Sequence, residues 1–138
     1  MSLIQTAAVV ADTHTLLWSL FDLSRLSTRA HAALRAAEAA GEPIYVPSIT
    51  VVELRYLVEK GKYTEGDYAT IITTLKDAAT APTLVNLDLN IAEALSSIPR
   101  TIVPDMPDRI IAATALHLGL PLVTRDTAIR ASSVTTIW

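Results

Sequence analysis

Hydrophobic positions along the chain follow two rhythms. Short apolar runs at 7–11, 44–46, 83–87, 120–124 and 134–137 read as strands. Between them lie longer stretches with apolar residues three or four apart, as at Tyr68, Ile71, Ile72 and Leu75. These predict helices over 13–20, 27–40, 49–60, 64–79, 89–96 and 108–118, and a helical turn over 127–131. Gly41, Gly61 and Gly119 stand just past three of those helices, where a left-handed C-cap belongs. Residues 98–107 hold three prolines and read as a loop, with Pro107 at the first turn of the next helix. Strands alternating with helices predict an α/β fold, a mostly parallel sheet covered on both faces. In such sheets, ligands bind beyond the carboxyl ends of the strands.

No repeat, low-complexity tract or linker interrupts the 138 residues, so one domain over 1–138 is expected. Within it, residues 1–5 are expected to be disordered or vector-derived. A hydrophobic content of 51% against 18% charged residues suits a packed core and excludes a disordered chain. The formal net charge of −3 disfavours nucleic-acid binding through a generally basic surface. There is no cysteine, which removes disulfides, thiolate metal sites and cysteine nucleophiles and suits a cytoplasmic protein. No apolar run is long enough to span a bilayer, and the first residues lack the pattern of a signal peptide.

The candidate chemistry lies in four acids. Asp12 directly follows the first strand, Asp126 follows the strand at 120–124, Glu53 lies early in the helix at 49–60, and Asp108 opens the helix at 108–118. All four fall where strands end or helices begin, which a parallel sheet gathers on one edge. Each also has a plain structural role open to it. Asp12 and Asp126 suit N-caps, Asp108 suits the positive end of a helix dipole, and Thr50-Val51-Val52-Glu53 matches a capping box. Ser, Thr or Asn would cap as well, however, and two carboxylates 4 Å apart repel by about 4 kcal/mol at an effective dielectric of 20. A divalent cation removes that cost, and an oxygen-only donor set favours Mg²⁺ or Mn²⁺ over Zn²⁺. Such a cluster is a candidate site for phosphodiester hydrolysis.

The stretches VVADTHTLLW, VPSITVVELRYLV, PDMPDRIIAATALHLGLPLVTRD and ASSVTTIW resemble the PIN-domain ribonucleases, and among them the VapC-type toxins of toxin–antitoxin pairs. The resemblance brackets nearly the whole chain from Val9 to Trp138. It implies a three-layer α/β/α sandwich with a small, mostly parallel sheet. It implies a metal-dependent endoribonuclease whose catalytic and metal-binding acids are Asp12, Glu53, Asp108 and Asp126, with Asp105 as an additional acid and Thr124 as a supporting hydroxyl. It further implies Mg²⁺ or Mn²⁺ as cofactor, RNA as substrate, a protein antitoxin and a second copy of the chain as partners. Pro107 departs from the pattern, since many relatives carry an aromatic residue there, and no basic groove is evident.

Other residues carry less. Arg109 and Arg125 adjoin motif acids and are phosphate-contact candidates, with solvent exposure as the default for both. His14 lies within reach of Asp12, but a surface or packing role is the default, as it is for His31 and His117. Capping is the default for Ser48 and Thr50, and packing for Trp18, Tyr45 and Trp138. Exposed apolar positions on the helices at 49–60 and 64–79 would suit an antitoxin segment or a second copy. A haloacid-type phosphatase would need D-x-D, but Asp12 is followed by Thr13 and His14. A receiver domain would need a late lysine, but the chain has only Lys60, Lys62 and Lys76. A non-catalytic PIN-like binding module and an RNA-processing nuclease without an antitoxin stay open as alternatives.

Overall fold

The computed structural model describes residues 6–138, and the expectation for residues 1–5 lies outside them. Strand β1 (Val9–Ala11) leads into α1 (Thr13–Phe21), a 3-10 turn at Leu23–Arg25, and α2 (Thr28–Ala39). Strand β2 (Ile44–Pro47) is followed by α3 (Ile49–Glu59) and α4 (Glu65–Lys76). Strand β3 (Pro82–Val85) is followed by α5 (Leu89–Ala94), a 3-10 turn at Leu95–Ser97, and α6 (Met106–Leu118). Strand β4 (Leu122–Val123), helix α7 (Thr127–Arg130) and strand β5 (Thr136–Ile137) complete the chain. The five strands pair in parallel in the order β3-β2-β1-β4-β5.

The period-2 alternation of the strands divides the core. Val10 and Leu122 point into a cluster with Ile91 and Ile98 and with Ile111 of α6. Their neighbours Val9, Ala11 and Val123 pack on the opposite face against Ala30, Leu34 and Ala37 of α2. Leu16 and Leu17 of α1 meet Val46, Leu54 and Ile71 in a third cluster. The sheet is therefore buried on both faces, as the near-continuous apolar strands require.

The chain builds outward from β1 through β2 to β3, then returns to lay β4 and β5 on the other side. The reversal places a topological switch point between the carboxyl ends of β1 and β4, where Asp12, Thr124 and Asp126 lie.

Several boundaries differ from the sequence-based expectation for identifiable reasons. Thr64 is the N-cap of α4, not its first residue, because it forms a reciprocal capping box with Asp67. Helix α6 opens at Met106, so Asp108 is its third residue and Asp105 its cap. Pro107 fits there because the N–H it lacks has no partner in a first turn. The capping box that Thr50 and Glu53 could have formed is absent, because α3 starts at Ile49 and both side chains turn to Thr13. Gly119, with φ of 67°, ends α6 in the left-handed region as expected.

Candidate active site

Three of the acids cap helices, and the same acids line one cleft. Asp12 is buried at the end of β1, where its Oδ1 accepts from the Thr15 N–H at 2.8 Å. Its Oδ2 accepts a hydrogen bond from the Thr124 hydroxyl. Asp126 caps α7, accepting from the Ile129 N–H at 2.9 Å, while its own N–H donates to Thr124 Oγ1 at 3.0 Å. Thr124 thus ties the acid after β1 to the acid after β4. Asp105 caps α6 by accepting from the Asp108 N–H at 3.1 Å. Capping and a place in the cleft prove compatible, because each carboxylate has two oxygens and a cap uses one.

Glu53 reaches the cleft from α3. Its Oε1 accepts from Thr13 Oγ1 at 2.6 Å, and that hydroxyl lies 3.1 Å from Thr50 Oγ1. The Thr15 hydroxyl donates to the Val123 carbonyl at 2.8 Å, pinning the start of α1 to β4. Thr13 and Thr124 thus fix Glu53, Asp12 and the start of α7 at Asp126 relative to one another. Ser48 stands at the N-cap position of α3 as expected, but its hydroxyl accepts from the Leu87 N–H at 3.1 Å and not from a helix N–H.

Asp12, Glu53, Asp105, Asp108 and Asp126 line one cleft of about 580 Å³. Their crowding is visible in their protonation. Burial, followed by the charges of Asp126, Asp105, Glu53 and Asp12, pushes the Asp108 carboxyl up to about 7. Burial also raises Glu53 above the usual carboxylate range, opposed by the hydrogen bond from Thr13. The cleft therefore holds more negative charge than it stabilises by itself.

Arg109 is removed from the phosphate-contact candidates, because its guanidinium donates to the carbonyls of Ile98 and Leu95 at 2.7 and 2.9 Å. It holds α6 to the preceding 3-10 turn. Arg125 does line the cleft, with its guanidinium 4.8 Å from the centroid of the Trp18 ring. Sequence reasoning missed Arg25, which lines the same cleft 5.7 Å from that centroid. No motif marks it, since it arrives from a 3-10 turn and meets the cleft only through Trp18. His14 also lines the cleft and packs on Trp18 at 5.5 Å, combining the two roles weighed for it. Trp18 and Trp138 pack as expected, 5.9 Å apart, and Tyr45 lies against the core. His31 and His117 are exposed on α2 and α6. Arg25 and Arg125 are thus a local pair of cations in a cleft that five acids line.

Comparison with known proteins agrees with this architecture. A PIN domain family model matches residues 9–133. The chain is 30% identical over 122 residues to Ribonuclease VapC22 of Mycobacterium tuberculosis, covering 88% of this chain and 89% of that protein. Among solved structures, it resembles VapBC2 of Rickettsia felis bound to a promoter DNA fragment, with a TM-score of 0.70 at 16% identity. The match covers 94% of this chain and 96% of that one. It also resembles a toxin–antitoxin complex from Klebsiella pneumoniae, with a TM-score of 0.63 at 24% identity over 94% of this chain and 96% of that one. A match running from β1 past α7, over a parallel sheet with acids at its switch point, shows that the chain belongs to the PIN domain family.

Proposed function

We propose that the chain is a metal-dependent endoribonuclease and the toxin of a toxin–antitoxin pair. The observation that carries the reading is the convergence of Asp12, Glu53, Asp105, Asp108 and Asp126 on one cleft, with Asp108 pushed up to about 7. The similarity to a VapC ribonuclease supports RNA as substrate. A similar solved structure that is a toxin–antitoxin complex supports a protein antitoxin as partner. Exposed Val52 and Tyr56 on α3 are the apolar positions we assign to contact with a second copy. Cutting cellular RNA would place the activity in the cytoplasm.

The donor set fits a hard divalent cation, Mg²⁺ or Mn²⁺. It consists of carboxylate oxygens in excess of any countercharge, and two of the acids are held above their ordinary range. Among the described residues no three His, Asp or Glu side chains form a ready-made cage. That suits an ion held by one or two carboxylates with water completing its shell. We assign the ligand role to Asp12, Asp108 and Asp126, one or two of them directly and the rest through the ion's water shell, with Asp105 as an auxiliary acid. A bound ion would neutralise the phosphate and lower the pKa of water.

The protein's own contribution is positioning. Thr124 holds Asp12 with one oxygen committed to α1, and Thr13 fixes the Glu53 carboxylate. Glu53 is the side chain we assign to orient the attacking water and take its proton. The water oxygen bonds to phosphorus as the P–O3′ bond breaks, so no covalent enzyme intermediate forms.

The test is cleavage of mixed tRNA and rRNA by purified protein in Mg²⁺, in Mn²⁺ and in EDTA, beside Asp108→Asn. Metal-dependent cutting that the variant loses is expected. A folded, antitoxin-free wild-type chain that cuts nothing, or cuts equally in EDTA, overturns the reading and favours a binding module.

A further inference from the structure

The acidic cleft has a cationic part that the acids do not use. Arg125 and Arg25 both line it, yet neither guanidinium pairs with Asp12, Glu53, Asp105, Asp108 or Asp126 among the described residues. Arg125 is adjacent in sequence to Asp126 and still makes no ion pair there. What holds it is Trp18, 5% exposed, whose ring is fixed against Trp138 and carries Arg125 at 4.8 Å and Arg25 at 5.7 Å from its centroid. A guanidinium held over an indole by cation–π attraction spends no N–H donor on a carboxylate, and its fork of donors matches two phosphate oxygens. Arg25 has one competing contact, a 3.3 Å pair with Asp22 in which both side chains are exposed, and such a pair exchanges readily.

An RNA strand brings a negative charge with every nucleotide, and a cleft of five acids repels it. A cation among the acids would answer for one phosphate only. We propose that Arg125 and Arg25, both lying over Trp18, form a phosphate subsite that binds the RNA backbone next to the scissile bond and so sets which way the strand lies across the acids. This rests on RNA being the substrate of the acidic site. The arginines are binding residues, Trp18 is a positioning residue, and the effect of losing them falls on KM.

The test uses the Asp108→Asn chain as a non-cutting binder of a fluorescein-labelled single-stranded oligoribonucleotide, titrated from low to moderate salt. Adding Arg25→Ala and Arg125→Ala together is expected to weaken binding about tenfold and to lower the log–log salt slope by about 0.7 for each phosphate no longer neutralised. In the cutting-competent chain the same pair raises KM by a like factor and leaves kcat within about twofold. Arg125→Lys, which keeps the charge but not the fork of donors, falls between. Arg35→Ala, exposed on α2 outside the cleft, changes nothing. Circular dichroism confirms folding of each variant. Unchanged affinity and slope in the double variant overturn the subsite, while metal-dependent cutting by the wild type leaves the ribonuclease reading standing. Conversely, a wild type that cuts no RNA overturns the ribonuclease reading and with it the place beside a scissile bond, while the titration still decides whether the two arginines bind the RNA backbone. No RNA binding by folded Asp108→Asn overturns both.

Discussion

Thr124 and Thr13 do the same work on two different carboxylates. Each donates its hydroxyl to an acid from another part of the chain, Thr124 to Asp12 and Thr13 to Glu53. Thr124 is fully buried, so Thr124→Val leaves the Asp12 Oδ2 without its donor inside the protein. We expect a loss of about 1–3 kcal/mol, read as a lower Tm, together with reduced RNA cleavage. Asp108 behaves in the opposite sense. Its folded carboxyl, at about 7 against an ordinary 3.8, holds its proton more tightly than the unfolded chain does. The metal-free fold therefore loses stability as pH rises between those values, and the full cost is present above about 7. Asp108→Asn removes that cost. After discounting for its partial exposure, the gain is about 1 kcal/mol at pH 8 and fades toward pH 4. Thermal melts of metal-free wild type and variant across that range check this, and equal pH dependence of the two would contradict it.

At the scale of elements, the acids are built into helix starts. Asp105 caps α6, and the residue three positions on, Asp108, projects into the cleft. Asp105→Ala should cost about 1 kcal/mol through the missing cap, and Asp105→Asn should restore most of it. At the other end, nothing lies within 4 Å of a Cβ added at Gly119, so Gly119→Ala meets no clash. Only the left-handed φ opposes it, and a cost of about 1 kcal/mol by thermal melting is expected. These ends also show what the sequence can and cannot reveal. The glycine stops and the strand–helix alternation are legible because they are local. The sequence pattern sets the start of α6 two residues late because Asp105 and Asp108 both suit a first turn, and only the hydrogen bond from the Asp108 N–H decides between them. The four principal acids can be named from their places at strand and helix ends. That Thr50 and Glu53 turn to Thr13 cannot, since the partner lies about 40 residues away and depends on the pairing of β1 with β2. Arg25 is invisible in the sequence for the same reason, reaching the cleft only through a ring on α1.

For the whole molecule, the order β3-β2-β1-β4-β5 brings residues from opposite ends of the chain to one edge. The cleft is therefore complete only when both halves of the sheet have formed. A divalent cation that binds there stabilises the folded state by mass action. We expect Mg²⁺ or Mn²⁺ to raise the Tm of the wild type at pH 8, and to do so much less for Asp108→Asn. An equal shift in both would mean that the ion binds elsewhere. Because the effect needs ionised carboxylates, it should shrink as the pH is lowered through about 7, the value to which Asp108 is raised.

The double duty of the capping acids also bears on how an inactive chain can be made, in the laboratory or by descent. At Asp12 one oxygen starts α1 and the other faces Thr124, so alanine there removes a helix start together with the ligand we propose. Its inactivity would not distinguish a misfolded chain from a silent one. Asparagine keeps an oxygen for the Thr15 N–H, but gives up the charge and, at the other position, replaces the acceptor of the Thr124 hydroxyl with an amide donor. One such exchange would leave a chain that folds, pairs and is recognised by its partners while doing no chemistry. In this architecture a decoy is one amide away from the enzyme, so a relative without activity should keep its caps as amides or hydroxyls.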